Sequence, residues 1–202
     1  MSLYRRFVLP RLTHLAMKSK VLREERAKVV SGAHGQVLEI GIGSGLNLPY
    51  YSETVQRVIG VDSSAELLAM ARRNAARAAL PVELVCESAE RLPFADASFD
   101  SAVMTWTLCS IPDPAAALRE IRRVLKVGGK LFFVEHGLSR EPRVGAWQQR
   151  LTPLWRPLAG GCHLDRRIDA LIRAVFTHVE LETFYVEGPR LLTYLYEGRA
   201  HA

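Results

Sequence analysis

Glu39-Ile40-Gly41-Ile42-Gly43-Ser44-Gly45 is the densest chemical signal in this 202-residue chain. Three alternating glycines let a backbone turn tightly and bring its N–H groups close to a ligand, with no side chain in the way. An acid, Asp62, stands 23 residues beyond Glu39. At the end of a second strand, such a carboxylate can accept hydrogen bonds from both hydroxyls of a ribose. A dinucleotide fingerprint would want glycine at position 46, which is leucine here. The loop and the acid together predict a ribose-bearing ligand, against the plainer reading of an ordinary strand–turn–helix.

Other side chains could move protons or shape a cavity. His136 follows a strand-like run and is the first candidate for a general base. The competing reading is a histidine satisfied by Glu135 or by backbone. His163 is the second candidate. Cys162-His163-x-Asp165 falls short of the four ligands of a structural zinc site, so no metal is expected. The three cysteines, Cys86, Cys109 and Cys162, are odd in number and form no CxxC. That excludes a disulfide framework or a zinc ribbon and implies a reduced, cytoplasmic compartment. Cys109 reads as a small buried thiol lining the cavity. Trp106, Trp147 and Trp155 are candidates for an apolar substrate wall, or equally for packing.

The elements that must position these residues alternate. Strand-like runs at Gln36–Ile40, Arg57–Val61, Val82–Cys86, Asp100–Thr105 and Lys130–Val134 are separated by helical stretches at Ala65–Ala79 and Pro114–Leu125. This order predicts a doubly wound, mostly parallel α/β sheet with helices on both faces. Lys126-Val127-Gly128-Gly129 reads as the turn from helix to strand. Asp165–Phe176 has helical apolar spacing. Val179–Val186 and Leu191–Tyr196 read as two antiparallel strands, which makes seven strands with one antiparallel edge strand. The whole chain, 1–202, is expected to form one domain. Residues 1–30 are expected to be a helical lid, broken or started near Pro10. Residues 136–164 are expected to be an insertion on the substrate side.

The formal net charge of +6 lies in the first 30 residues, which hold eight basic side chains and two acids. Residues 31–202 balance at 19 of each sign. A nucleic-acid-binding platform is therefore not expected. Tyr4, Phe7, Val8, Leu12 and Leu15 recur at helical spacing among the arginines, so this segment reads as a packed lid or as a helix in peripheral contact with a membrane surface.

With these motifs in place, the chain resembles the class I S-adenosylmethionine (SAM) methyltransferases over about residues 35–196. Glu39–Gly45 resembles their first motif and Asp62 their ribose acid. Glu87–Phe94 is similar to their adenine segment, with Ser88 where an Asp is common. Phe99-Asp100 and Arg123–Gly129 match their later signatures. Thr105, Leu108-Cys109-Ser110, Glu135-His136, Trp147-Gln148-Gln149, Pro153, Trp155 and Gly161-Cys162 further resemble the alkyl thiol methyltransferases. Gly45-Leu46-Asn47-Leu48-Pro49 resembles the bacterial phospholipid N-methyltransferases.

The resemblance implies SAM as cofactor and a small-molecule substrate. The implied donor-binding residues are Glu39, Gly41, Gly43, Ser44, Gly45, Asn47, Asp62, Ser63, Ser88, Ala89 and Thr105. The loop N–H groups would hold the methionyl end. Glu39 would orient the loop or meet the amino group, and Thr105 would face the same end. Asp62 would clamp the ribose, and Ser63 would cap the next helix or touch the adenosine. Ser88 and Ala89 would meet the adenine edge, while Tyr50 and Tyr51 would close over the cofactor. The implied reaction is methyl transfer to a small apolar acceptor, with a thiol as one case. The alternatives are a phospholipid or quinone-precursor methyltransferase at the membrane surface and a non-catalytic SAM-binding module.

Overall fold

The computed structural model describes residues 3–202; Met1, Ser2 and the side chains of Arg5 and Arg6, part of the basic segment, lie outside the described residues. The strands are Gly35–Ile40 (β1), Val55–Val61 (β2), Val82–Val85 (β3), Phe99–Thr105 (β4), Leu125–His136 (β5), His178–Tyr185 (β6) and Tyr194–His201 (β7). The described residues form one seven-stranded sheet in the order β3-β2-β1-β4-β5-β7-β6. β1 to β5 pair in parallel. β7 runs antiparallel to both β5 and β6. The mostly parallel seven-stranded sheet is as expected, but its antiparallel strand sits one place in from the edge. The short link after β6 folds the chain back, and β7 inserts between β5 and β6. β6 is left as the edge strand, parallel to β5.

Alternation along the strands sorts side chains onto two buried faces. Leu38, Ile40, Ala102 and Met104 face one layer, where Ala117, Leu118, Ile121 and Val124 of helix α4 (Pro114–Val124) pack against them, with α6 (Ile168–Arg173) alongside. Val37, Val58 and Val103 face the other, against Val30 of α2 (Lys20–Val30) and Leu68 of α3 (Ala65–Ala75). Each fully buried Leu or Ile contributes roughly 1.5–3 kcal/mol. Local chemistry starts the helices: the side chains of Ser19, Ser64 and Asp113 accept backbone N–H groups at the first turns of α2, α3 and α4. Ser64 is thus the cap of α3, a role the sequence reading placed on Ser63.

One point of agreement and two further differences have physical causes. The basic segment is a turn of π-helix (Tyr4–Val8) running into α1 (Leu9–Ala16), with Pro10 in the first turn of α1. That start beside Pro10 is as expected; a further helix, α2, begins after the cap at Ser19. Residues 142–158, with Pro153 and Pro157 inside them, form a helix, α5 (Pro142–Leu158). Lys126–Gly129 belongs to β5 rather than to a turn: Gly128 takes φ +79°, and the β4 register steps from Leu125 to Lys130 across the irregularity.

Candidate active site

The strand order reverses between β1 and β4, which opens a crevice above the carboxyl ends of the strands. A cavity of about 360 Å³ occupies it. Its floor is the glycine loop. Gly41 and Ile42 donate to Val61 O at 2.8 and 3.1 Å, and Gly45 donates to Ile42 O at 2.9 Å. Gly41, Gly43 and Gly45 all take the left-handed conformation, at φ +67°, +57° and +78°. At Gly41 a Cβ would strike the Thr107 side chain. Here glycine is demanded both by conformation and by space.

Asp62, at the end of β2, fastens this loop. Its Oδ2 accepts the N–H of Gly43 at 2.9 Å, and its Oδ1 accepts the N–H of Ser64 at 2.8 Å. Burial pushes the Asp62 carboxyl above its ordinary range, against the pull of those two bonds. One carboxylate therefore ties the loop to the start of α3 and also lines the cavity.

Beneath the loop lies a buried network. Asn47 Nδ2 donates to Glu39 Oε1 at 2.9 Å and to Thr105 Oγ1 at 3.1 Å, and Tyr51 OH donates to Glu39 Oε2 at 2.8 Å. Burial raises the Glu39 pKa to about 7 despite the bonds from Tyr51 and Asn47. Asn47 Oδ1 is buried with no hydrogen-bond partner, although Asn47 lines the cavity. A buried acceptor without a partner carries a desolvation penalty that a bound donor group would relieve.

Of the residues singled out in the sequence, Gly41, Gly43, Ser44, Asn47, Asp62, Ser63, Ser88, Ala89, Thr105 and Trp106 all line the cavity. Ser88 Oγ donates to Glu90 at 2.9 Å. Glu39 and Gly45 lie just behind the lining. Tyr51 faces Glu39 rather than covering the cavity. His136 is not brought to it: the ring is buried at the end of β5, with Nε2 3.3 Å from Leu191 O, and burial lowers its pKa. Glu135 does not partner His136. It accepts the N–H groups of Thr107 and Cys109 at 2.8 and 3.4 Å and so sets the turn after β4. Cys109 is buried behind that turn, where the neighbouring Cys162 thiol and then burial push its pKa well up. His163 meets Asp165 at 3.5 Å. Trp147 is exposed, and Trp155 stays outside the lining.

The basic N-terminal segment supplies lining residues that were not assigned to the site from sequence. Leu9, Pro10, Thr13, His14, Met17 and Arg26 line the cavity from α1 and α2, whereas the 136–164 segment contributes Ala159 and Gly160. His14 Nδ1 lies 2.7 Å from Ser44 Oγ, which joins α1 to the glycine loop. Burial and nearby Lys18 lower the His14 pKa. The only sequence signal for these positions was apolar spacing among basic residues.

A mostly parallel sheet with a glycine loop and a strand-end acid at its switch point is the architecture of the methyltransferase class. A methyltransferase-domain family model matches residues 38–133. The chain is 36% identical over 149 residues to the phosphatidylethanolamine N-methyltransferase of Cereibacter sphaeroides, covering 73% of this chain and 72% of that protein. It is 35% identical over 164 residues to the thiol S-methyltransferase TMT1B of Rattus norvegicus, covering 77% of this chain and 66% of that protein, slightly under two thirds. A solved SAM-dependent methyltransferase of Thermotoga maritima superposes with a TM-score of 0.68 at 22% identity, over 98% of this chain and 99% of that one. This chain belongs to the SAM-dependent methyltransferases, and SAM is its cofactor.

Proposed function

We propose that this enzyme methylates a small apolar acceptor, with a thiol as the favoured class. The observation that carries this reading is the apolar part of the cavity lining, Leu9, Pro10, Met17, Trp106, Ile111 and Pro112. Such side chains suit an apolar body. When bound, SAM supplies a methyl group on a sulfonium sulfur, open to in-line attack. The glycine loop and Asp62 fix the donor's position, and the lid excludes water. A thiol acceptor must lose its proton to become a nucleophile. In the tautomer where His14 Nδ1–H donates to Ser44 Oγ, Nε2 is left to take that proton. A lowered pKa keeps this imidazole neutral near pH 7, with a lone pair free to accept a proton. His136, expected from sequence to fill this role, lies away from the cavity.

The test is a release assay for S-adenosylhomocysteine across thiols, amines, phenols and lipids. Alkyl or aryl thiols are expected to give the highest rate, and His14→Gln is expected to lower their kcat by about 10–100-fold. A panel in which no thiol exceeds background ends the thiol reading.

A second reading, a lipid acceptor taken at the membrane surface, is favoured by exposed apolar side chains beside the lid. Leu15 of α1 is 65% exposed, and Leu154 and Leu158 of α5 are 70% and 62% exposed. Tyr4 OH reaches Leu158 O at 2.7 Å, so the two helices meet. Arg11, Lys18, Arg150 and Arg156 are exposed on the same helices or just beyond them. No helix among the described residues is long and apolar enough to cross a membrane, so contact would be peripheral. Co-sedimentation with anionic vesicles is expected to fall several-fold in the double variant Leu15→Glu, Leu154→Glu. Equal pelleting of both proteins removes this reading.

A further inference from the structure

Arg26 is the anomaly of the lid. Lys20, Arg23 and Lys28 of the same helix are exposed, as a basic helix in water should place them, yet Arg26 is 2% exposed. Its guanidinium lies over the Trp106 ring, 5.1 Å from the centroid, and lines the cavity. It makes two long contacts, to Leu22 O and Met17 O, both at 3.4 Å, and its Nε is buried with no partner. Among the described residues no carboxylate lies within 4 Å of it, and Glu39 acts on it only at longer range. A guanidinium offers five donors in a planar fork. Burying one with its donors largely unused is costly unless an anion arrives to pair with it.

Asn47, which also lines this cavity, carries a second unmatched atom of opposite character, the buried Oδ1, and its Nδ2 is held by the Glu39 carboxylate. An unpaired cation and an unpaired acceptor at one end of a cavity are complementary to a zwitterion: a carboxylate for the first and an ammonium for the second. An α-amino acid presents those two groups on one carbon. The other end of the cavity, at Asp62 and Ser88, suits ribose and base.

We infer that Arg26 is the receptor for the donor's α-carboxylate, with Asn47 Oδ1 taking its ammonium, so that the amino-acid end of the donor fastens α2 over the cavity. This rests on the reading of the cavity as the SAM site and extends it to a residue outside every sequence motif. Arg26 is a binding residue in this account, and its effect falls on the ligand's amino-acid end alone.

The experiment compares wild type, Arg26→Met and Arg26→Lys by calorimetric titration with three probes. S-Adenosylhomocysteine carries the full amino acid, S-adenosyl-3-thiopropylamine lacks only the carboxylate, and 5′-methylthioadenosine lacks the whole amino-acid end. A bidentate, charge-assisted pair in a dry site predicts about a 30–100-fold loss of S-adenosylhomocysteine affinity in Arg26→Met, with 5′-methylthioadenosine changed less than about threefold. The preference of wild type for S-adenosylhomocysteine over the thiopropylamine is expected to collapse in Arg26→Met. Arg26→Lys, which keeps charge but not the fork, should fall between them. Thermal melts give a second readout. Without ligand, Arg26→Met should melt above wild type, because an unpaired buried charge has gone. With saturating S-adenosylhomocysteine it should gain less than wild type.

Equal losses for S-adenosylhomocysteine and 5′-methylthioadenosine, or no loss for either, overturn the carboxylate assignment while leaving the donor site standing. Wild type that binds none of the three probes overturns the donor-site reading itself. Should Arg26→Met fold poorly, wild type alone still decides: equal affinity for S-adenosylhomocysteine and the thiopropylamine refutes the proposal.

Discussion

Asp62→Ala is expected to weaken SAM binding by roughly 100–1,000-fold, at about 1.4 kcal/mol per decade. The magnitude follows from what one side chain does. Its two oxygens accept the N–H groups of Gly43 and Ser64 at 2.9 and 2.8 Å. Hydrogen bonds to a charged group contribute about 1.5–3 kcal/mol each. Alanine releases both, so the left-handed turn at Gly43 loses its anchor and the start of α3 loses its tie. The ribose would lose its acceptor in the same step. Asp62→Asn keeps one acceptor oxygen at Oδ1 but presents an amide toward the Gly43 N–H, and a loss of about tenfold is expected. Titration calorimetry with SAM measures both, with circular dichroism to confirm folding. Binding by the alanine variant within about threefold of wild type would remove the central role given to this carboxylate.

The second large effect concerns stability. Glu39→Ala leaves Tyr51 OH without its acceptor and Asn47 Nδ2 with Thr105 Oγ1 alone, a loss of about 2–4 kcal/mol in all, since a buried orphan costs about 1–3 kcal/mol and a lost hydrogen bond about 1 kcal/mol. A chain of this length loses roughly 2–4 °C of Tm per kcal/mol, so a drop of about 5–15 °C is expected. The wild-type pH dependence carries the same signature. Burial raises Glu39 from an ordinary 4.5 to about 7 in the folded chain. Between those values the folded state holds a proton that the unfolded state has released. Folding is therefore favoured at the acid end of that window, and this contribution is lost as pH climbs through 7. Glu197 of β7, raised to about 7 by burial and by its contact with Glu25, adds a term of the same sign. Glu39→Gln, which cannot ionise, should flatten the slope of Tm against pH between about 5 and 7 while lowering Tm less than alanine does. An unchanged slope would assign the whole dependence to other groups.

The parts of this site that were legible in sequence are those where backbone geometry dictates residue type. Gly41, Gly43 and Gly45 take φ values that favour glycine, and at Gly41 there is no room for a Cβ, so the chemistry shows in the letters. Asp62 was legible because it ends a strand at a set distance from that loop. Arg26 and His14 were not. In a basic, apolar-striped helix an inward-facing arginine has the same local pattern as a solvated one, and only tertiary packing separates them. His136 was misplaced because β5 continues through it and pairs Leu195 opposite, which carries its ring toward the Leu191 carbonyl rather than into the crevice. Pro153 and Pro157 hid α5, since an interior proline normally argues against a helix. Gly128-Gly129 hid the start of β5 for a similar reason.

Trp106 has a practical corollary. It is a non-glycine residue at φ +49°, held where its indole both lines the cavity and lies beneath the Arg26 guanidinium. The other two indoles, Trp147 and Trp155, stand outside the cavity lining. The enzyme thus carries an intrinsic fluorophore whose emission is coupled to whatever draws that cation off its ring. Occupancy of the crevice can be followed by spectroscopy on the unlabelled protein, at concentrations too low for calorimetry.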